Sequence, residues 1–433
     1  MKSSLFKCFL FVCSLSIFGL MSCDNGNEPK QPENSYTMEV KKGTVLTKEI
    51  LKNLTVEGYD FIGWKLDNEF VFPGYEVKED CTLKAELGKQ LVIDGKAYAY
   101  TSEAFVQGKT FTGTSNTDES GKEINYVGSF PAGESITIDS YYISRFEVTQ
   151  ELYAAVMEGV MIYNDGAEED PQSVVAEPSW CVEKYKDVFG LENFGIQKYR
   201  PVDEVTWYDA ILFCNELSKK AGLTPAYELE IKSVVTWYDP ANPYDNGTPG
   251  YHIEAGTVTE VAGANGYRLP YETEWEFAAR GADPERKEWN YLFAGSPCQE
   301  GIVYDYYANK GMDGYGWHAY NNIDGVTTEI NKTSDGENNL PEGMGSHQVG
   351  LLKPNSIGIF DMSGNVAEWC YEEALKKDSK DPTKMVSTGK RVERGGAWYF
   401  GANYCAVCNR GMSGPAGYRY NDLGIRLVRT SSK

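Results

Sequence analysis

The run Gly358-Ile359-Phe360-Asp361-Met362-Ser363-Gly364-Asn365-Val366-Ala367-Glu368-Trp369 decides how the rest of the chain is read. Asp361 and Glu368 bracket eight residues, and Gly364 between them permits a tight turn. Hard oxygen atoms gathered so closely suit calcium; a plain Asx-type turn leading into a strand is the alternative reading. Downstream stand Arg394-Gly395-Gly396-Ala397-Trp398 and Gly424-Ile425-Arg426-Leu427, the latter inside a short strand pattern that ends at Arg429.

Upstream, helical periodicity is found in three places. Thr149 to Met157 turns Leu152, Ala155 and Val156 inward. Thr206 to Ala221 carries Trp207, Ala210, Ile211, Cys214 and Leu217 on one face and stops at Gly222. Tyr271 to Arg280 carries Trp275, Ala278 and Ala279 and stops at Gly281. The stretches between are dense in Gly, Asn, Asp and Tyr, with short strands such as Ile136 to Phe146. So few helices over some three hundred residues imply much irregular backbone, and the α+β fold class is what the family resemblance described below implies.

Composition narrows the function. The 433 residues hold 41 Lys+Arg against 63 Asp+Glu, a formal charge of −22, which excludes a general nucleic-acid binder. Only 3 histidines, His252, His318 and His347, are present and far apart, so a multi-histidine metal centre is excluded as well. With 41% apolar and 13% aromatic residues, a large core is affordable.

The N-terminus is an export signal: Lys2 and Lys7, the apolar run Cys8 to Leu20, then small residues. That run is too short to span a membrane as a stable helix. Residues 1–22 form the expected signal peptide. Leu20-Met21-Ser22-Cys23 resembles a bacterial lipobox, which implies acylation at Cys23 and a lipid anchor in the cell envelope; an ordinary cleaved signal is the alternative. Loss of Lys2 and Lys7 would take the charge from −22 to −24. Residues 23–35, free of apolar side chains after Cys23, read as a tether. Seven cysteines would remain beyond Cys23, an odd number that leaves at least one thiol unpaired.

Residues 36–87 alternate like strands, with a short helical stretch near Thr47 to Leu54. Tyr59, Phe61 and Trp64 are their expected aromatic core. Gly58 to Trp64 followed by Glu79 to Ala85 resembles the internalin-B-type repeat of bacterial surface proteins, implying a small β-grasp-like module. Residues 88–125, rich in Gly, Ser and Thr, are expected to be a connector with one or two hairpin strands.

From 126 to 430 the chain resembles the formylglycine-generating enzyme (sulfatase-modifying factor) family. The resemblance rests on motifs in order: Tyr141 to Gln150; Pro201 to Ala210 with Phe213-Cys214-Asn215; Gly266 to Pro270 with Glu274 to Gly281; the opening run; and the two C-terminal signatures. It implies a single C-type-lectin-like domain. It also implies a structural Ca²⁺ held by Asp361, Gly364, Val366 and Glu368, two of them through backbone carbonyls.

The catalytic part of the pattern breaks. Oxidases of this family bind copper between two thiolates, and soft paired sulfurs are what Cu(I) requires. Here Cys405 matches the second position, while the first falls on Phe400. Copper is therefore not expected, and Cys405 would be catalytic only if an exported oxidase-like activity survived.

In place of the groove, Tyr399 to Asp422 holds four Tyr and four Gly in 24 residues, with no Lys, Glu, Gln or Trp. Rigid amphipathic rings set among small residues are the composition of a paratope. Tyr399, Phe400, Gly401, Asn403, Tyr404, Gly411, Ser413, Gly414, Ala416, Gly417, Tyr418, Tyr420, Asn421 and Asp422 are all reachable from an Asn codon by replacing adenines; Met412 is reachable from a Lys codon. The pattern resembles the variable lipoproteins of diversity-generating retroelements, implying that these residues contact a ligand, protein or glycan. Drift in an Asn- and Gly-rich loop is the alternative.

Overall fold

The computed structural model describes residues 36–113, 128–163, 171–179, 196–236, 250–297, 311–319, 321, 345–377, 384–411 and 414–431. Residues 1–35, including Cys23, and Met412 and Ser413 lie outside the described residues, as do 114–125 of the expected connector. Backbone contacts divide the chain into two units, Met1–Lys89 and Gln90–Lys433.

The first unit is an antiparallel sheet of β1 (Thr37–Val40), β2 (Tyr59–Leu66), β3 (Glu69–Phe70) and β4 (Cys81–Lys89), in the order β1-β4-β2-β3. Asp60, Ile62 and Trp64 of β2 point inward at the two-residue period of a strand. The core differs from the expectation. Trp64 is buried among Met38, Val40, Leu46, Val71, Val77 and Leu83, with Phe61 packing on its edge and Tyr59 only half-buried. Aliphatic side chains from β1, β4 and the loops thus do most of the filling. The stretch near Thr47 closes as one hydrogen-bonded turn, Leu51 N–H to Thr47 O at 3.0 Å. It supplies Ile50, Leu51 and Leu54 to the core without becoming a helix.

The second unit opens with more strands than the one or two hairpin strands expected of the connector at 88–125. β5 (Leu91–Ile93) pairs with β6 (Lys96–Tyr98), and β8 (Lys109–Thr112) with β9 (Ser135–Ile138). β7 (Glu103–Val106) lies at the edge of a four-stranded sheet, buries Ala104 and Val106, and pairs with β10 (Tyr141–Ser144). Strands of three or four residues are too short to show a period, so the sequence gives neither their number nor their bounds. Then come α1 (Gln150–Met157), the small pair β11 (Met161–Ile162) and β12 (Gln172–Ser173), α2 (Trp207–Lys220), and the long hairpin β13 (Tyr227–Thr236) with β14 (Tyr251–Glu260). β15 (Tyr267–Arg268) and α3 (Glu272–Ala279) follow.

The last third is built on β16 (Ala367–Lys377), β17 (Met385–Arg394), β18 (Gly414–Pro415) and β19 (Leu423–Gly424), in the order β18-β17-β16-β19. β20 (Val428–Thr430) then returns to pair with β10 and β15. Bringing the end of the domain beside its beginning in this way leaves the segment just before β19 on the same body as α2 and β14.

The helices begin where capping chemistry put them. Thr149 caps α1, and Thr206 with Asp209 forms a reciprocal capping box on α2. One core gathers Trp207, Phe213, Leu217 and Trp369, and a second gathers Trp275, Phe277 and Trp289. Apart from these elements, much of the described backbone is turn or irregular.

Candidate functional site

The opening run of the sequence forms a fully buried polar turn. Asp361, Gly364 and Asn365 all take positive φ, at +58°, +87° and +63°. At Gly364 a Cβ would lie 2.0 Å from Trp317 O, so no larger residue fits. Beyond the turn, Glu368 on β16 meets Arg426: Nη2 donates to Oε1 at 2.7 Å and Nε to Oε2 at 2.9 Å. Trp275 Nε1 donates to Glu368 Oε2 at 2.5 Å. Arg426 also donates to the carbonyls of Ser144 and Phe360, so one guanidinium ties β10, the turn, β16 and the C-terminal strand region together.

Glu147 completes this interior. Its carboxylate accepts from Val366 N–H at 3.1 Å and from Asn365 Nδ2 at 2.6 Å. Burial, reinforced by Asp361 and Glu368, holds Glu147 well above the usual carboxylate range. Burial also pushes Asp361 up to about 6, against the lowering effects of the Gly350 N–H bond and Arg426. Among the described residues Asp361 Oδ1 is buried with no hydrogen-bond partner. Three buried carboxyls around one guanidinium, with one oxygen orphaned, fit a bound cation at Asp361. Glu368 fits less directly, because Arg426 and Trp275 already occupy both its oxygens.

The segment 399–411 and 414–422 is held mostly by its main chain, with side-chain ties from Arg410 Nε to Glu272 Oε1 at 2.6 Å and from Asn409 Nδ2 to Tyr404 O at 2.7 Å. Ala319 N–H donates to Phe400 O at 2.9 Å, Trp207 N–H to Ala416 O at 2.9 Å, Glu204 N–H to Tyr420 O at 2.9 Å, and Ala367 N–H to Asp422 O at 2.7 Å. Trp398 Nε1 donates to Asn421 O at 3.1 Å. In the other direction, Gly411 N–H donates to Glu393 O and Gly414 N–H to Glu393 Oε1. Apart from the ties of Arg410 and Asn409, none of these bonds depends on a side chain of the segment itself.

Side chains along it divide into two groups. Tyr418 and Tyr420 are 52% and 46% exposed, with ring centroids 5.9 Å apart and edges crossed. Tyr399, Gly401, Asn403, Tyr404, Gly411, Asn421 and Asp422 are half-buried. Phe400 and Ala416 pack against the main core, and Gly414 is buried. At Gly417 a Cβ would lie 2.3 Å from Glu254 O, which fixes that position as glycine.

Cys405 sits inside this framework. It is fully buried with Phe293, Met312 and Ala402, and a Cβ on Gly396 would come within 2.8 Å of its sulfur. Burial pushes its thiol upward, away from the thiolate that copper or nucleophilic chemistry needs. Cys408 is likewise buried, and the two remain separate thiols.

Two features were not read from sequence. Glu393 on β17, between Val392 and Arg394, is buried. His252 and Asp209, distant in sequence, form a buried pair at 2.6 Å that joins β14 to the start of α2.

Comparison with known proteins assigns the domain. The sulfatase-modifying factor enzyme 1-like domain matches residues 89–431. The chain belongs to the sulfatase-modifying factor family. Its α+β fold is the C-type-lectin-like fold of formylglycine-generating enzymes, with much irregular backbone. Within this family the chain is 30% identical to the "Chaperone protein LppX" of Paenibacillus barcinonensis over 69% of this chain and 82% of the relative. It is 29% identical to the formylglycine-generating enzyme of Streptomyces coelicolor, over 36% of this chain and 44% of that enzyme. Among solved structures, Treponema denticola variable protein 1 is 26% identical, covering 79% of this chain and 99% of its own, with a TM-score of 0.49. The sulfatase-modifying factor domain starts at residue 89, so β5 to β8 belong to it, and the unit boundary falls at the same place.

Proposed function

We propose that this protein is a lipid-anchored binding protein of the bacterial cell envelope, whose sulfatase-modifying-factor domain contacts a protein partner through the segment 399–422. One observation carries the reading: the segment is anchored by main-chain bonds and by Asn409 and Arg410, none of which uses the rings of Tyr418 and Tyr420, and those two rings stand exposed. Such a frame tolerates exchange of the exposed rings without loss of shape. That is what a variable contact surface requires.

The anchor rests on the Lys2, Lys7, Cys8 to Leu20 and Cys23 pattern. Among the described residues no helix is long and apolar enough to cross a membrane. A relative named as a chaperone protein supports a protein rather than a glycan as the partner. A structural calcium ion at Asp361, with the carbonyls of Gly364 and Val366, belongs to the same reading; its role is to neutralise the acidic turn and hold the floor on which the segment rests.

The test is a Tyr418→Ala, Tyr420→Ala double variant of the full chain. Unchanged thermal midpoint with lost binding to the envelope fraction of the producing cells supports the reading; unchanged binding sinks it. The competing reading, an exported oxidase using Cys405, requires copper-dependent conversion of a Cys-x-Pro-x-Arg peptide that disappears in Cys405→Ser.

A further inference from the structure

Arginines in this domain generally meet a carboxylate: Arg268 meets Glu274, Arg280 and Arg394 meet Glu276, Arg410 meets Glu272, Arg426 meets Glu368, and Arg429 meets Glu103. Arg391 departs from this. Among the described residues it forms no ion pair, and its one hydrogen bond runs from Nη1 to Tyr371 O at 2.9 Å. Nε and Nη2 have no acceptor there. Its cross-strand neighbour on β16, Glu373, is held instead by the Ser387 hydroxyl and by Gly389 N–H. In a chain with 63 Asp+Glu against 41 Lys+Arg, an arginine without an acid asks for a reason.

Arg391 is half-buried in an aromatic surround. Its guanidinium carbon lies 3.7 Å from the centroid of the Trp207 ring, close enough for face-to-face stacking. Tyr208 and Tyr371 stand against the same indole at 5.3 Å and 5.8 Å, and Tyr227 stacks on Tyr371 at 5.5 Å. Stacking covers the flat face of a guanidinium and leaves its edge, where the N–H groups lie, to meet an acceptor. The arginine also borders the Tyr-rich segment. It pairs with Gly414 of β18, which has no side chain to cover it; Trp207 N–H donates to Ala416 O, and the Cβ position of Gly414 lies 3.6 Å from Tyr418 Cβ.

We propose that Arg391 is an anion-recognition residue of the contact surface, taking a carboxylate of the protein partner on the free edge of its guanidinium. This rests on the binding function proposed above and deepens it. Nε–H and one Nη2–H point the same way from that edge, at the spacing of two carboxylate oxygens. Arg410 gives this same pair of donors to Glu272, and Arg429 gives it to Glu103. The indole holds the plane in advance, which lowers the cost of ordering the side chain on binding. Burial lowers Arg391, against the raising effects of Tyr208 and Glu373, as expected of a charge the protein itself leaves uncompensated. Because Arg391 lies on β17 and not in the Tyr-rich segment, this ionic contact would stay constant while the rings beside it varied. The net charge of −22 opposes an acidic partner at long range, but at physiological ionic strength that repulsion is screened beyond about 8 Å, and the bond forms at contact.

The probes are acetyl-Gly-Ala-Glu-Ala-Gly-amide, its neutral glutamine counterpart, and acetyl-Gly-Ala-Gly with a free C-terminal carboxylate, titrated onto the isotope-labelled full chain at about 0.15 M salt. The readout is the Nε–H resonance of Arg391, identified by its absence from Arg391→Gln. It is expected to shift saturably with a carboxylate peptide, at least about threefold more tightly than with the glutamine peptide. Whichever carboxylate peptide binds better tells an acidic side chain from a chain terminus, and either preference supports the proposal. Followed through the Gly414 amide resonance, the preference should vanish in Arg391→Gln, persist in small part in Arg391→Lys, and survive in full in Lys390→Gln, which removes an equal charge next door. Thermal midpoints and circular dichroism identify any variant that is misfolded. No saturable shift with either carboxylate peptide, equal affinity for the glutamine peptide, or a preference that survives in Arg391→Gln or vanishes in Lys390→Gln overturns the proposal. Loss of the envelope partner in the double tyrosine variant with full retention in Arg391→Gln would leave the binding face standing and remove only the arginine from it.

Discussion

Arg426 and Glu368, 58 residues apart in sequence, meet at 2.7 Å with both side chains wholly out of solvent. The pair joins the C-terminal signature to the acidic turn, and Trp275 of α3 closes it from the third side. Removing one partner strands the other charge in the interior. Arg426→Leu should therefore cost about 3–5 kcal/mol, read as a fall in the urea midpoint at unchanged slope. A loss below about 1 kcal/mol would mean the pair is not buried as described.

Gly417 and Tyr418 are neighbours with opposite roles. Gly417→Ala drives a methyl to 2.3 Å from Glu254 O, and backbone must move; the expected cost is about 1–3 kcal/mol. Tyr418→Ser, at an exposed ring, should stay within about 0.5 kcal/mol. Thermal unfolding of the two variants side by side checks the contrast.

Glu393 gives a pH signature of defined sign. Its folded value, pushed up to about 8 chiefly by burial, lies above the value of 4.5 for a free glutamate. The folded state then holds the proton more tightly than the unfolded state does. The group's contribution is fully present below pH 4.5 and is lost as pH rises to about 8. Glu393→Gln should match wild type at pH 4 and be more stable by a few kcal/mol, about, at pH 9. Denaturation curves at the two pH values measure it; a variant less stable at pH 9 would contradict the sign.

Calcium should stabilise the domain through Asp361. At a free concentration of about 100 times the dissociation constant, linkage gives roughly 2.7 kcal/mol. The expected result is a thermal midpoint that rises with calcium, falls with chelator, and loses that response in Asp361→Asn. A midpoint indifferent to both would remove the ion from the account.

What could be read in advance was local. Thr149 and Thr206 announce α1 and α2 because their hydroxyls accept the first free N–H groups. Gly222 and Gly281 end α2 and α3 with φ near +70° and +77°. The motif order was enough for the family, since each motif is a contiguous string. Long-range pairings were not legible. Nothing in the text around Glu103 says that it meets Arg429, or that β7 closes a sheet begun after it. The composition of Tyr399 to Asp422 singled out the segment but treated its positions alike. The structure separates Tyr418 and Tyr420, which face outward, from Gly417 and Ala416, which the scaffold fixes. Glu393 was hidden because burial of a charge in a strand depends on what covers it, and here the cover is the segment itself.

The most direct test replaces Tyr418, and separately Tyr163, with a photo-crosslinking phenylalanine in living cells; both side chains are 52% exposed, but Tyr163 lies outside the segment. The account predicts a discrete protein adduct from position 418, absent from position 163 and diminished by Tyr420→Ala. No adduct at 418, or the same adducts from both positions, would contradict it.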